Sequence, residues 1–172
     1  MPVQDIIELG NSLLGEQCSP VDEPTSASVS ELVNDLKDTL EYVTREHGFG
    51  RGIAAPQIGA LKRVIYINLK PDGFEGALTN PEIADESPER YEMWDGCFCF
   101  PRLLVRVTRA TDVRAGYVDT EGNPQTLEAT GELAAVLQHE IDHLNGVLAV
   151  ERAVSSRAYM SRGEWERQGR PF

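Results

Sequence analysis

The chain has no run of about twenty apolar residues with which to cross a bilayer, and its opening, MPVQDIIELG, lacks the basic-then-apolar order of a secretory signal. A soluble, cytoplasmic protein with no membrane partner is therefore expected. Cysteine is scarce. The three present, Cys18, Cys97 and Cys99, are odd in number and spaced unlike a disulfide framework, so metal binding or burial explains them better than bridging. Positive charge is also short, with 16 Lys+Arg against 28 Asp+Glu and a net charge of -12, which argues against direct DNA binding. Internal repeats and low-complexity tracts are missing as well.

A length of 172 residues with 41% hydrophobic content suffices for one sizeable core, so 1–172 is read as a single domain. The first twenty residues read as irregular or briefly helical, and Pro20 and Pro24 mark a surface connection. A helix follows, with Ser28 and Glu31 as a capping box and Val29, Leu32, Val33, Leu36, Leu40 and Val43 at helical spacing until Gly48. After the glycine-rich turn GFGRGIAAPQIG, the segment RVIYINL has the composition of a strand. Further strands are expected around 97–107 and 113–119, a turn at 121–124, and a second helix over 130–144 ended by Asn145 and Gly146. The fold class is then α+β: antiparallel strands packed around a central helix.

That second helix carries QHEIDHL, an H-E-x-x-H pattern that sets His139 and His143 one turn apart on one face, with Glu140 adjacent. By chance the pattern arises about once in two hundred chains of this length. Leu133, Leu137, Ile141 and Leu144 form an apolar stripe nearly opposite the histidines, so both sides call for burial. The chain has only three histidines, and the third, His47, falls at a helix C-terminus where it complements the dipole and needs no metal. Cys97 in WDGCFCFP is the best candidate for a third ligand, because thiolate beside imidazole suits zinc or ferrous iron. Three ligands with an open position are the pattern of a catalytic metal, and Glu140 beside them fits a proton carrier.

Three segments, GRGIAAPQ at 50–57, DGCFC at 95–99 and HEIDH at 139–143, resemble in order and spacing the motifs of the peptide deformylase family. The resemblance covers most of the chain. It implies Cys97, His139 and His143 as metal ligands, Glu140 as general acid/base, and Gln57 with the Phe98 amide as oxyanion donors. It also implies one divalent metal, ferrous iron physiologically in many members, with Zn2+, Ni2+ or Co2+ able to occupy the site. The implied activity is removal of the formyl group from N-formylmethionyl nascent peptides, the first step of N-terminal methionine processing in protein biosynthesis. An extended peptide would pair with the edges at Gly50 and Gly52 and at 95–99, and Ile53, His139, Leu133 and Val136 are expected to line the methionine pocket.

The second motif departs most from the family, with Asp95 for glutamate, Phe98 for leucine and Cys99 for serine. Asp95 is expected to pair with Arg109. A strand through 97–99 would put the Cys99 thiol on the same face as Cys97, as a further ligand or an oxidation-prone group; the plainer reading is a small buried residue. Arg51 either touches substrate or faces solvent. In 151–172 five arginines stand against three glutamates, which suits either a ribosome contact or a solvated tail. Three other readings remain open on sequence: a zinc endopeptidase, which shares H-E-x-x-H, a deformylase-like binding protein without turnover, and a domain with merely structural zinc.

Overall fold

The computed structural model describes residues 3–71 and 73–170. Among these residues eight strands form two antiparallel sheets. One runs β1 (Gly52–Ala54), β2 (Val64–Asn68), β3 (Glu75–Glu86), β6 (Asp112–Val118) and β7 (Pro124–Thr130); the other runs β4 (Arg90–Gly96), β5 (Leu103–Ala110) and β8 (Tyr159–Ser161). The helices are α1 (Ala27–His47), α2 (Gly131–Leu144) and the short α3 (Arg162–Arg167). This is the α+β architecture expected.

The larger sheet is covered on both faces, which is why β2 reads as the nearly continuous apolar run VIYIN. Val64 and Tyr66 point toward α1, joining Leu36, Leu40 and Val43. Ile65 and Ile67 point the other way and pack with Leu137, Ile141 and Leu144 of α2. Every residue of α2 over 137–144 is buried, so it is a core helix whose polar side chains must find partners inside the protein. A third cluster beneath the smaller sheet gathers Cys97, Cys99, Phe100, Val105, Val107 and Leu148.

Several local expectations are corrected. The helix α1 is entered from Ser26, with Ser28 already inside it, and no side-chain cap bond forms. The 97–107 segment is not one strand: β4 ends at Gly96, a turn closes with the Phe100 amide donating to the Cys97 carbonyl at 3.2 Å, and β5 begins at Leu103. Pro101 and Gly96 account for that break. The end of α2 is held from outside by Arg63, which donates to Asn145 Oδ1 at 2.9 Å and to the Pro81 carbonyl at 2.9 Å. Gly146, with φ of +70°, follows at a place where a Cβ would lie 2.5 Å from the Gly15 carbonyl oxygen.

Candidate metal centre and substrate cleft

A cleft of about 870 Å³ runs between the two sheets, with α2 as its floor. Its walls are β1 and β4, each an outer strand of its sheet. Gln57, Cys97, Phe98, His139 and Glu140 face its inner end, and Gly50 and Gly52 form part of one wall. Ile53 does not: its side chain is fully buried in the α1-facing core, because alternation along β1 turns it away from the cleft, leaving only its backbone at the edge. Leu133 likewise packs into the core below α2, whereas Val136 and His139 do line the cleft.

Cys97 Sγ lies 3.3 Å from His143 Nε2, and Cys97, Cys99 and His143 bring their ligand atoms within 4.8 Å of one another. His139 falls outside that tight group but is next to it, its ring centroid 5.0 Å from that of His143. His139 Nδ1 is 3.0 Å from Asp95 Oδ2, which leaves Nε2 as the ring nitrogen free for other work. Cys99 joins not through a strand but through the turn after β4, its amide donating to Cys97 Sγ at 3.4 Å. The side chain of Gln57 is fixed from behind: the Ala54 amide donates to Oε1 at 2.7 Å, so Nε2 is turned toward both sulfurs at 3.6 Å. Pro56 and the left-handed Gly59 shape the single 3-10 turn, Ala55–Ile58, that makes this possible.

The site withstands a test for metal on its own atoms. Two sulfurs and an imidazole nitrogen converge within 4.8 Å of one another. His143 Nδ1 and Glu140 Oε2 are buried with no hydrogen-bond partner among the described residues. Converging soft and borderline donors with an aspartate steadying the neighbouring histidine is the composition of a transition-metal or zinc site.

The electrostatics follow from burial. Burial raises the Glu140 carboxyl to about 7, with the nearby His139 working against the shift. Burial alone would depress His139, but the Asp95 carboxylate outweighs it and holds the imidazole up at about 9. Burial likewise opposes ionisation of Asp95, yet His139 and Arg109 together keep its carboxyl below the ordinary range. Burial depresses His143 well below the usual value and raises the Cys97 thiol well above it.

Asp95 does pair with Arg109, at 2.9 Å, and the pairing extends further than the sequence suggested. Arg109 also donates to Asp142 at 2.6 Å, and Arg152 reaches Asp142 through two bonds of 2.6 and 3.0 Å. Asp142, inside the HEIDH motif, was not singled out in the sequence, and Arg152 was read there only as one of the C-terminal arginines; the clue was a charged residue three positions after His139 on a helix otherwise destined for burial. Gln138 was also passed over. It bonds both the amide and the carbonyl of Ala110, at 2.9 and 3.1 Å, tying α2 to the end of β5. Arg51 lines the cleft and pairs with Glu132 at 3.1 Å, both side chains exposed.

Phe98 fills the opposite wall. Its ring stacks on Phe49 at a centroid distance of 5.2 Å, and a Cβ on Gly50 would fall inside it. Gly52 permits a comparable approach by Glu140, whose Oε1 would lie 2.7 Å from a Cβ there.

A family model described as polypeptide deformylase matches residues 3–159. Among curated relatives, peptide deformylase of Brachyspira hyodysenteriae is 39% identical over 81% of this chain and 77% of its own. Peptide deformylase 2 of Clostridium perfringens is 39% identical over 89% of this chain and 94% of its own. Among solved structures, peptide deformylase from Ehrlichia chaffeensis in complex with actinonin superimposes with a TM-score of 0.83 at 30% identity, over 91% of both chains. That from Legionella pneumophila gives 0.81 at 32% identity, over 99% of this chain and 100% of that one.

Proposed function

The chain belongs to the polypeptide deformylase family, and from that premise we propose that it is a metal-dependent hydrolase releasing formate from N-formylmethionyl peptides, with 1–172 acting as one catalytic domain. The observation that carries the reading is Glu140: a buried carboxylate with an unpartnered oxygen, raised to about 7, beside converging metal donors at the end of an open cleft.

Cys97, His139 and His143 would hold the metal, with the Cys99 thiol close enough to join them. The mixed sulfur and nitrogen set suits ferrous iron as the physiological ion and accepts Zn2+, Ni2+ or Co2+. A divalent cation there supplies Lewis acidity, which makes water a competent nucleophile near neutral pH. Glu140 would accept the proton that water gives up as it attacks the formyl carbon, since its buried carboxylate sits beside the converging donors at the cleft's inner end. Gln57 Nε2 and the Phe98 amide donate to the oxygen that becomes negative, with Gln57 already oriented by Ala54. Glu140 then returns its proton to the departing amine, and the products are formate and a peptide with a free amino terminus.

The substrate's main chain would lie extended between the outer edges of β1 and β4, at Gly50, Gly52 and the Ile53 backbone on one side and near Gly96 on the other. Val136 and His139 would border the methionine side chain. Such a protein works on nascent chains in the cytoplasm; no helix among the described residues is long and apolar enough to cross a membrane. Of the arginines in 151–172, Arg152 is drawn inward to Asp142 and Arg167 is held by Glu164. Arg170 also lies 3.8 Å from Glu166, so a ribosome contact would fall chiefly to the exposed Arg157.

The test is formate release from formyl-Met-Ala-Ser by protein purified anaerobically with ferrous iron, beside Glu140→Gln at equal metal content. Turnover by the wild type, and a loss of about 10²-fold or more in the variant, is the expected result. A fully metallated wild type without turnover would refute the proposal, and cleavage of an internally quenched, N-blocked peptide instead would mark a protease.

A further inference from the structure

The cleft continues past the proposed chemistry to an end that none of these assignments uses. There Arg162, the first residue of α3, lays its guanidinium over the Phe49 ring, Cζ being 3.5 Å from the centroid. Its Nε donates to the Pro101 carbonyl at 2.7 Å, and the side chain lines the cleft. Nη2 is shielded from solvent and has no partner among the described residues. It lies against Gly96, where a Cβ would come within 2.7 Å of it. Arg162 thus spans both walls, from Phe49 beside β1 to Gly96 at the end of β4.

Buried donors are normally paired, so an unpaired guanidinium N–H at the end of a binding cleft is suited to an acceptor that arrives with the ligand. The wall itself gives the direction. Gly52 abuts Glu140, Gly50 abuts the Phe98 ring, and Phe49 stacks on that ring beneath Arg162. Going from 52 back to 49 therefore leads away from the proton-handling carboxylate. At about 3.3 Å per extended residue, that path matches roughly three residues of bound peptide.

We infer that Arg162 is a substrate-binding residue that donates to a backbone carbonyl oxygen of the formyl peptide beyond its methionine. The inference rests on the deformylase reading and extends it: the cleft would grip main chain at that point whatever side chain follows. Nε is committed to Pro101, which fixes the fork in place and leaves Nη2 to the ligand.

The experiment compares the metallated wild type, Arg162→Met and Arg162→Lys on two substrates, formyl-methionine N-methylamide and formyl-Met-Ala-Ser amide. Both lack a carboxylate. Loss of one charge-assisted hydrogen bond should raise KM for the longer peptide about tenfold in Arg162→Met, with kcat held within about twofold. The shorter substrate should lose several-fold less, and Arg162→Lys should show the same length-dependent loss in smaller measure, which serves if Arg162→Met does not fold. Equal loss on both substrates would overturn the inference and leave Arg162 as a prop for Phe49. So would an unchanged KM for the longer peptide. Wild type inactive on both would overturn the deformylase reading and this inference with it, whereas an active wild type with no length-dependent loss in the variants would overturn this inference alone.

Discussion

Gly52→Ala puts a single methyl where the wall of the cleft meets the carboxylate that is proposed to move the proton. A Cβ at this position would lie 2.7 Å from Glu140 Oε1, 2.9 Å from Glu140 Cγ and 2.9 Å from Val136 Cγ1. Ordinary carbon contacts are about 3.5–4.0 Å, so Val136 and Glu140 would each have to retreat by roughly 0.6–1.1 Å. Glu140 has no easy room, since it is only 4% exposed and every residue of α2 from 137 to 144 is buried, so the clash falls mainly on it. Misplacing a catalytic group by about 1 Å costs on the order of 10²-fold in rate, and overpacking a core costs about 1–3 kcal/mol. We therefore expect kcat for formate release to fall about 10²-fold with KM little changed, together with a stability loss of that size in urea. The double variant Gly52→Ala/Val136→Ala separates the two effects. Removing the valine methyls should recover much of the stability, but the clash with Glu140 remains, so kcat should stay low. A Gly52→Ala protein that keeps kcat within about twofold of wild type would refute the link between this glycine and the placement of Glu140.

Three further outcomes are expected. Gln57→Leu should lower kcat about 10²–10³-fold by removing an oxyanion donor, and a kcat near wild type would show that Nε2 does not serve there. Arg109→Met should cost about 3–5 kcal/mol in denaturant unfolding, because the buried Asp95 and Asp142 each lose a guanidinium partner, leaving Asp95 with His139 and Asp142 with Arg152; a change under 1 kcal/mol would mean that those remaining contacts satisfy the carboxylates. Chelating the metal should lower the thermal midpoint of the wild type, because an ion bound only by the folded protein stabilises it by mass action, and Cys97→Ala should abolish most of that difference. An identical midpoint with and without metal would argue against a site at Cys97.

The parts of the fold visible in the sequence are those where one pattern decides. The helix α2 follows from its apolar stripe and its Asn-Gly stop, and the strand β2 from VIYIN. The strand β3 escaped notice because Asp85, Glu82 and Glu86 stud its outer end and Pro81 interrupts it; β4 and β7 are mostly polar, since one side of each is exposed. The Asp95 to Arg109 pairing was legible as a charge seeking a partner, whereas the share taken by Asp142 depends on how β5 crosses α2, which no local pattern encodes. Cys99 shows a right location reached by a wrong route: two-residue alternation was the expected cause, yet a turn is what folds its thiol back toward Cys97. Ile53 shows the reverse, a motif residue whose side chain belongs to the core behind the wall.

The row Asp95, Arg109, Asp142, Arg152 alternates in sign and sums to zero, and it ends against His139. Its members are therefore not independent positions for evolutionary change. Replacing any one alone strands a formal charge in the interior, while exchanging an acid and a base together leaves the total untouched. Drift along this row should move in compensating pairs, and a descendant that has shed one member without another would be expected to have already lost its hold on the orientation of His139.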